Sequence, residues 1–162
     1  MYNNKQVVHI VAAGRNGEIG ANDQLLWHIR EDLEFFKNTT IGQALIMGRK
    51  TIKGLPGTLR RRAVVPVSNN PELGLPLHGA LSVACDLSDA LATREIYIAG
   101  GASIYKQTSD IADTVLLTQV DHEFDAADTF YQVPDGFELK YSSDWKQNDG
   151  YRYRFTVYTR TT

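Results

Sequence analysis

Short apolar segments rich in β-branched and aromatic residues recur along the chain, and segments with helical character separate them. The apolar segments are residues 7–13, 44–47, 63–67, 79–84, 95–99, 114–120, 137–142 and 152–159. Each is short enough for one strand, and the last two alternate polar and apolar residues as half-buried antiparallel strands do. Because strands that are separated by helices usually pair in parallel, the pattern predicts an α/β fold with a mostly parallel, mixed sheet.

The segments between the strands supply four predicted helices, at residues 30–38, 49–53, 87–92 and 102–108. In the first helix Leu33 and Phe36 share a face, and Asp32 lies one turn before Phe36. The second and fourth helices begin next to glycines. Pro66 inside the segment 63–67 predicts an edge strand, because proline has no backbone N–H to donate to a neighbouring strand.

Length and charge narrow the possible functions. The 162 residues correspond to one domain, and a net charge of -2 argues against nucleic acid as the main partner. Cys85 is the only cysteine, so the chain forms no internal disulfide. No apolar run approaches the ~18 residues of a membrane span. We therefore expect one soluble, cytoplasmic domain over residues 1–162, with no nucleic-acid or membrane partner.

Two glycine-bounded junctions connect a strand to a helix, at residues 47–51 and 98–103. Glycines let a phosphate approach the backbone, and the helix N-terminus offers unpaired N–H groups. Arg49 and Lys50 at the first junction would add charge for a further phosphate. Each junction alone is also compatible with an ordinary tight turn. A GxGxxG fingerprint is absent, which argues against a Rossmann domain, and the four histidines lack metal-ligand spacing, so no metal is expected.

The helix start around Asp32 is the second candidate site. Most acids on a surface helix are solvated, but Asp32 shares a face with Leu33 and Phe36 and could point into an apolar cleft. A carboxylate there could accept two parallel hydrogen bonds from an amidine-like edge of a heterocycle. Spacing alone leaves both interpretations open. The arginines at 60–62 are likewise either a solvated loop or a clamp for a ligand carboxylate.

Further motifs accompany these two sites in a fixed order. They are Ile19-Gly20, Trp27, Asp32-Leu33, Phe36, Thr40, MGRKT at 47–51, IAGGASIY at 98–105, TVLLTQV at 114–120, Asp128-Thr129-Phe130 and a tyrosine-rich final strand. Together they resemble the bacterial-type dihydrofolate reductases over nearly the whole chain. The resemblance implies an eight-stranded mixed sheet flanked by about four helices. It also implies the NADPH-dependent reduction of 7,8-dihydrofolate to tetrahydrofolate, with hydride transfer to C6 and protonation of N5.

The resemblance also implies roles for individual residues at the substrate end. Asp32 matches the family's catalytic carboxylate, which binds the pterin 2-amino group and N3, stays ionised and favours protonation of N5 through water. Thr118 matches the threonine that hydrogen-bonds this acid, and Trp27 matches the tryptophan that anchors an ordered water. The apolar walls carry over to Ile10, Leu33, Phe36 and Leu59. The glutamate tail of folate falls on Arg62, or on Arg61 if the loop is shifted.

Contacts to the cofactor NADPH carry over to residues from several segments. They are Ala12, Ile19, Gly20, Arg49, Lys50, Thr51, Ser68, Gly101, Ala102, Ser103, Ile104 and Gln107. Arg49 matches the ligand of the 2′-phosphate, which would give a preference for NADPH over NADH. Asn69 stands where a basic or hydroxyl residue is more common. The Gly100-Gly101 bond is cis in the family, which two glycines tolerate.

Two loops complete the arrangement that the resemblance implies. Residues 14–26 resemble the flexible loop that closes over the nicotinamide, and residues 121–128 resemble the loop that braces it. Arg30 replaces a proline that is common before the first helix.

We expect a monomer and a target of antifolates such as trimethoprim. The fit of such inhibitors depends on the shape around Leu25, Leu33, Phe36, Ile52 and Ala99.

Two other interpretations are open. A riboflavin-pathway reductase shares this fold and cofactor junction, but it reduces a ribosylamino-pyrimidine and lacks the pairing of Trp27 with Asp32. A non-catalytic binding or structural protein could retain the fold, although it would not need Trp27, Asp32, Thr118 and Arg49 together. Consumption of reduced nicotinamide in the presence of dihydrofolate discriminates among the three.

Overall fold

The computed structural model describes residues 1–22, 24–55 and 59–161, and within these ranges it contains ten strands and four helices. The strands are β1 (Gln6–Ala13), β2 (Glu18–Gly20), β3 (Ala44–Gly48), β4 (Ala63–Val67), β5 (Glu95–Ile98), β6 (Thr114–Val120), β7 (Thr129–Phe130), β8 (Phe137–Ser142), β9 (Lys146–Asn148) and β10 (Tyr151–Arg160). The helices are α1 (Arg30–Thr40), α2 (Arg49–Gly54), α3 (Leu77–Ala90) and α4 (Ala102–Gln107).

Eight of these strands form one mixed sheet in the order β4-β3-β5-β1-β6-β10-β8, with β9 also pairing with β10. The five neighbouring strands β4, β3, β5, β1 and β6 are parallel, whereas β10 runs antiparallel to β6, β8 and β9. This arrangement confirms the predicted α/β fold with its antiparallel ending. It also confirms β4 as an edge strand, in which Pro66 pairs with Met47 of β3. Because β4 has no second neighbour in this sheet, the missing N–H of Pro66 breaks no hydrogen bond on its other side.

Both faces of the sheet are covered, and β1 shows how its residues divide between them. Val7 and Val11 point into an apolar cluster that includes side chains of α3 and α4. Val8 and Ile10 point to the opposite face, into a cluster that packs against α1 and α2. Successive side chains of a strand alternate between faces, so a strand that is buried on both sides needs a continuous apolar run. This requirement explains the mostly apolar character of β1, β3 and β5, in which His9 of β1 is the polar residue inside a run.

The segment 79–84, predicted as a strand, lies instead within α3, and the helix predicted at 87–92 is only the last part of α3. The buried residues of α3 recur at helical spacing: Ala80, Leu81, Ala84, Cys85 and Ser88. The β-branched Val83, which favoured a strand, is 38% exposed. The helical spacing of the apolar residues therefore decided the structure of this segment, and its β-branched residue did not. No helix among the described residues, including the 14-residue α3, is long and apolar enough to cross a membrane.

Strands β2 and β7 form a separate two-stranded sheet beside the main one. Glu18 pairs with Phe130, and Gly20 pairs with Thr129. This small sheet joins the predicted lid, residues 14–26, to the two residues that follow the predicted bracing loop, residues 121–128. Asp23 of the lid lies outside the described residues. No pattern in the sequence predicted β2, β7 or β9, because strands of two or three residues are defined by their partners and not by local periodicity.

Candidate active site

The carboxyl ends of β1 and β3 and the residues after β5 border a cleft of about 760 Å³. This volume is typical of a small-molecule site, and the ends of parallel strands are where α/β sheets bind ligands. The residues assigned to substrate or cofactor from the sequence all line this cleft except Leu59, Arg62 and its alternative Arg61. The fold therefore brings together residues that lie far apart in the chain, from Ile10 in β1 to Thr118 in β6.

Asp32 provides the acidic group of the cleft, from the first turn of α1. Its Oδ1 accepts a hydrogen bond of 2.8 Å from the hydroxyl of Thr118. The pKa of Asp32 is raised from 3.8 to about 6: burial raises it most, the hydrogen bond from Thr118 opposes that rise, and the charge of Glu31 adds to it. At neutral pH the ionised form still predominates, by roughly ten to one. Near neutral pH the side chain can therefore bind a protonated heterocycle as a carboxylate, at a pH only about one unit above its pKa.

Thr118 is held beside Asp32 by the sheet, because β6 is paired on both sides. Its register places Thr118 opposite Ala12 of β1 and opposite Phe155 of β10. The residue is only 2% exposed, so its hydroxyl needs a partner within the protein. Asp32 supplies that partner across 86 positions of sequence.

Replacing Thr118 with valine is expected to raise the pKa of Asp32 further above about 6. Valine keeps the shape of threonine but removes the hydrogen bond that favours the ionised carboxylate, at a cost on the order of 1 kcal/mol. The apparent pKa in the pH profile of kcat/KM measures the change. Thr114→Val, at the other end of the same strand, is the matched control. An unchanged apparent pKa in Thr118→Val would contradict this role of the hydroxyl.

The two glycine junctions lie against each other at the other end of the cleft. The N–H of Gly48 donates to the carbonyl of Gly100 at 2.9 Å, and the Gly100-Gly101 peptide bond is cis, as the resemblance implied. A Cβ on Gly101 would lie 3.1 Å from the hydroxyl of Thr51, and one on Gly48 would lie 3.1 Å from Ile104. A side chain at either position would therefore crowd these neighbours, so glycine allows the two junctions to pack closely.

Arg49 begins α2 next to this glycine cradle. Its Nε is buried and has no hydrogen-bond partner among the described residues. An unpaired buried N–H is costly, so the position fits an acceptor that the protein itself does not supply. Other polar groups line the same end of the cleft: Lys50, Ser68, Asn69, Asn70 and Gln107. This donor set suits an anionic, phosphate-bearing ligand.

Comparison with known proteins assigns the chain to a family. The family model for dihydrofolate reductase matches residues 6–160. The chain belongs to the dihydrofolate reductase family. The dihydrofolate reductase of Neisseria meningitidis serogroup B is 33% identical, over 96% of this chain and 98% of that protein. The dihydrofolate reductase of Bacillus subtilis is 30% identical, over 93% of this chain and 92% of that protein. The dihydrofolate reductase type 6 of Proteus mirabilis is 32% identical, over 90% of this chain and 94% of that protein.

The apolar walls of this dihydrofolate reductase cleft come from both sides of Asp32. Ile10 is 5% exposed and belongs to the same apolar cluster against which Phe36 packs. Leu33 lines the cleft beside Asp32, as expected from their shared helix face. Trp27 is 7% exposed and lies in a separate cluster with Ile29. A planar heterocycle bound to Asp32 would therefore be enclosed by apolar groups.

Leu59 and Arg62 do not line the cleft themselves, but they contact residues beside it. Leu59 packs against the cluster that contains Ile10. The guanidinium of Arg62 donates from Nε to the hydroxyl of Thr40 at 2.9 Å, and from its terminal nitrogens to the carbonyls of Lys37 and Arg60. Burial lowers the pKa of Arg62. Arg62 is therefore fixed at the end of α1, whereas Arg61 is exposed.

Two residues with a part in the site were not assigned a role from the sequence. Tyr105 lines the cleft, and its buried hydroxyl donates to the carbonyl of Ile10 at 2.6 Å. Burial raises the pKa of Tyr105 well above its ordinary value, so it remains a hydroxyl. Asp149 accepts a hydrogen bond of 2.8 Å from the backbone N–H of Arg30, which starts α1. A proline at position 30 would lack this N–H, so the departure from the family pattern provides the helix cap.

Proposed function

We propose that this chain catalyses the NADPH-dependent reduction of 7,8-dihydrofolate to tetrahydrofolate. The observation that carries the proposal is the pairing of Asp32 with Thr118 in an apolar cleft whose other end has an anion-binding donor set. Family membership supports the same reaction, because the relatives in Neisseria meningitidis and Bacillus subtilis are dihydrofolate reductases. All of the proposed groups come from one chain, which is consistent with a monomer as the active unit.

At the substrate end, Asp32 would accept hydrogen bonds from the 2-amino group and N3–H of the pterin. Its negative charge favours a proton at N5, delivered from solvent by a water beside Trp27. Leu33 and Phe36 would hold the rings against the cleft wall and exclude bulk water. Three of the five N–H groups of Arg62 bond within the protein, and the other two are assigned to the carboxylate of the glutamate tail.

At the cofactor end, the reduced nicotinamide of NADPH supplies the hydride when it is bound. The chain would contribute positioning: Gly101 lets the backbone approach the ligand, and Arg49 and Lys50 neutralise phosphate charge. The unpaired Nε of Arg49 supports a role for this residue as the ligand of the 2′-phosphate, the group that distinguishes NADPH from NADH.

Replacing Arg49 with alanine is expected to raise the KM for NADPH by roughly 10- to 100-fold and to change the KM for NADH far less. The loss of one charge-assisted phosphate contact, about 1.5–3 kcal/mol, sets this range. Steady-state kinetics with both cofactors measure the ratio. Lys53→Ala, in the last turn of the same helix with an exposed side chain, is the control. Equal effects on both cofactors would show that Arg49 does not contact the extra phosphate.

The direct test of the proposed reaction is the loss of reduced-nicotinamide absorbance when purified protein is mixed with NADPH and dihydrofolate. Consumption that requires dihydrofolate and is faster with NADPH than with NADH is the expected result. Folded protein that binds NADPH but consumes none with dihydrofolate would overturn the proposal. In that case a ribosylamino-pyrimidine would be the next substrate to assay, and its failure would favour a non-catalytic protein.

A further inference from the structure

Glu18, in β2, is a buried acid that the proposed reaction does not use. It is 2% exposed, and its two carboxylate oxygens accept hydrogen bonds from different parts of the chain. Oε1 accepts from the backbone N–H of Asn16 at 2.5 Å, and Oε2 accepts from the backbone N–H of Phe124 at 2.6 Å. The second bond crosses 106 positions of sequence, so the carboxylate ties residues 14–26 to residues 121–128.

The charge of Glu18 is maintained by these bonds. Burial by itself would raise the pKa of Glu18, but hydrogen bonds from the backbone N–H groups of Phe124, Glu18 and Asn16 hold it below its ordinary value. A carboxylate can accept at both oxygens, whereas a glutamine side chain has one acceptor and one donor. Glutamine at this position would therefore set an N–H donor against one of the two backbone N–H groups.

The ring of Phe124 connects this carboxylate to the cleft. The ring centroids of Phe124 and Trp27 lie 5.1 Å apart. The centroid of the Phe124 ring also lies 4.5 Å from that of His122 and 5.8 Å from that of Tyr151. Trp27 lines the cleft, close along the chain to Asp32. Consequently the backbone of Phe124 is held by Glu18 while its side chain forms one wall against the Trp27 indole.

Little free space surrounds Phe124 on the side of the lid. A Cβ on Gly14 would lie 2.8 Å from the Phe124 ring, 2.9 Å from the carbonyl of His122 and 3.1 Å from the Glu18 carboxyl carbon. The N–H of Arg15 also donates to the carbonyl of His122 at 3.0 Å. Closely packed groups transmit a displacement instead of absorbing it. A shift of the Phe124 backbone would therefore move its ring relative to Trp27.

We propose that Glu18 is a positioning residue for the reaction, which sets the Trp27 indole in the cleft by holding Phe124. This inference rests on the proposed function, in which Trp27 orders the water beside Asp32. The contacts to the substrate along Leu33 and Phe36 do not involve Glu18. Loss of the carboxylate should therefore affect turnover more than substrate binding.

The test is Glu18→Gln in a Trp145→Phe background, where Trp27 is the only tryptophan. The expected result is a shifted Trp27 emission maximum, a kcat lowered about tenfold and a KM for dihydrofolate changed less than about twofold. Glu123→Gln, an exposed acid in the same loop, is the matched control and should leave all three unchanged. Wild-type emission and kcat in folded Glu18→Gln would overturn the proposal.

Phe124→Leu provides a second variant, which keeps the backbone N–H for Glu18 but removes the ring from Trp27. The same emission shift is expected, and the double variant should lose less activity than the two single effects multiplied, because both act through one contact. Multiplying effects would overturn the route through Phe124. The emission measurement needs no turnover, so a wild-type protein that fails to reduce dihydrofolate would refute the proposed function and still leave the positioning of Trp27 tested.

Discussion

Replacing Asp32 with asparagine is expected to lower the turnover of dihydrofolate at neutral pH by on the order of 100- to 1,000-fold. Asparagine keeps the shape of the side chain and an oxygen that can accept the 2.8 Å hydrogen bond from Thr118. What it loses is the negative charge that favours a proton at N5 of the pterin. Asparagine also sets an amide N–H donor against the N–H groups of the pterin, so the KM for dihydrofolate should rise as well, although Leu33 and Phe36 still line the cleft.

The pH profile makes this expectation specific. As the pH falls, turnover of Asp32→Asn should recover, because the substrate can enter already protonated, whereas the wild type should lose the ionised form of Asp32 around its pKa of about 6. Steady-state rates of the wild type and the variant across this range measure the effect. Glu34→Gln, an exposed acid on the same helix paired with Arg30, is the control. Near-wild-type turnover of Asp32→Asn at neutral pH would show that Asp32 was wrongly assigned.

The second large effect is expected at His9, on the face of β1 that points away from Ile10. His9 is fully buried, with Nδ1 3.1 Å from the Tyr131 hydroxyl and Nε2 2.8 Å from the Thr108 hydroxyl. Burial first and the charge of Arg160 second lower the pKa of His9 from 6.5 to about 4. Because the folded-state pKa is depressed, the contribution of neutral His9 to stability is present above pH 6.5 and lost as the pH falls towards 4.

This lost contribution amounts to about 3 kcal/mol, since each pKa unit corresponds to about 1.4 kcal/mol. His9→Gln is expected to remove that pH dependence while destabilising the protein at neutral pH by about 1–3 kcal/mol, because one buried hydroxyl loses its partner. Urea unfolding at neutral pH and near the lower pKa measures both. His78→Gln, on the exposed side of α3, is the control. An equally acid-sensitive His9→Gln would contradict the assignment.

Asp32 acts in the opposite direction over nearly the same pH range in the ligand-free protein. Its folded-state pKa is raised from 3.8 to about 6, so its contribution to stability is present below pH 3.8 and lost as the pH rises through about 6. The size is again about 3 kcal/mol, so the two groups largely offset each other. Asp32→Asn should therefore be more stable than the wild type at neutral pH and lose stability more steeply on acidification.

Local periodicity was sufficient to predict the central elements of the fold. The apolar runs at β1, β3, β5 and β6 and the starts of α1, α2 and α4 were predicted within one or two residues. The same periodicity placed Asp32, Leu33 and Phe36 on one helix face, and all three line the cleft. The strand predicted at 79–84 was wrong because a short apolar stretch with one valine fits either state. In α3 the helical spacing of the buried side chains decided between them.

The sequence by itself determined the α/β class, the positions along the chain of the segments that form the parallel strands, and the acid at the start of α1. Each of these depends on residues that are close together in the chain. The hydrogen bond of Thr118 to Asp32 across 86 positions was implied by the family resemblance, whereas only the tertiary structure decided that Phe124 meets Glu18 across 106. It also decided the opposite pKa shifts of His9 and Asp32. Hydrogen-bond partners and burial come from segments distant in the chain, and no local pattern encodes the distance between them.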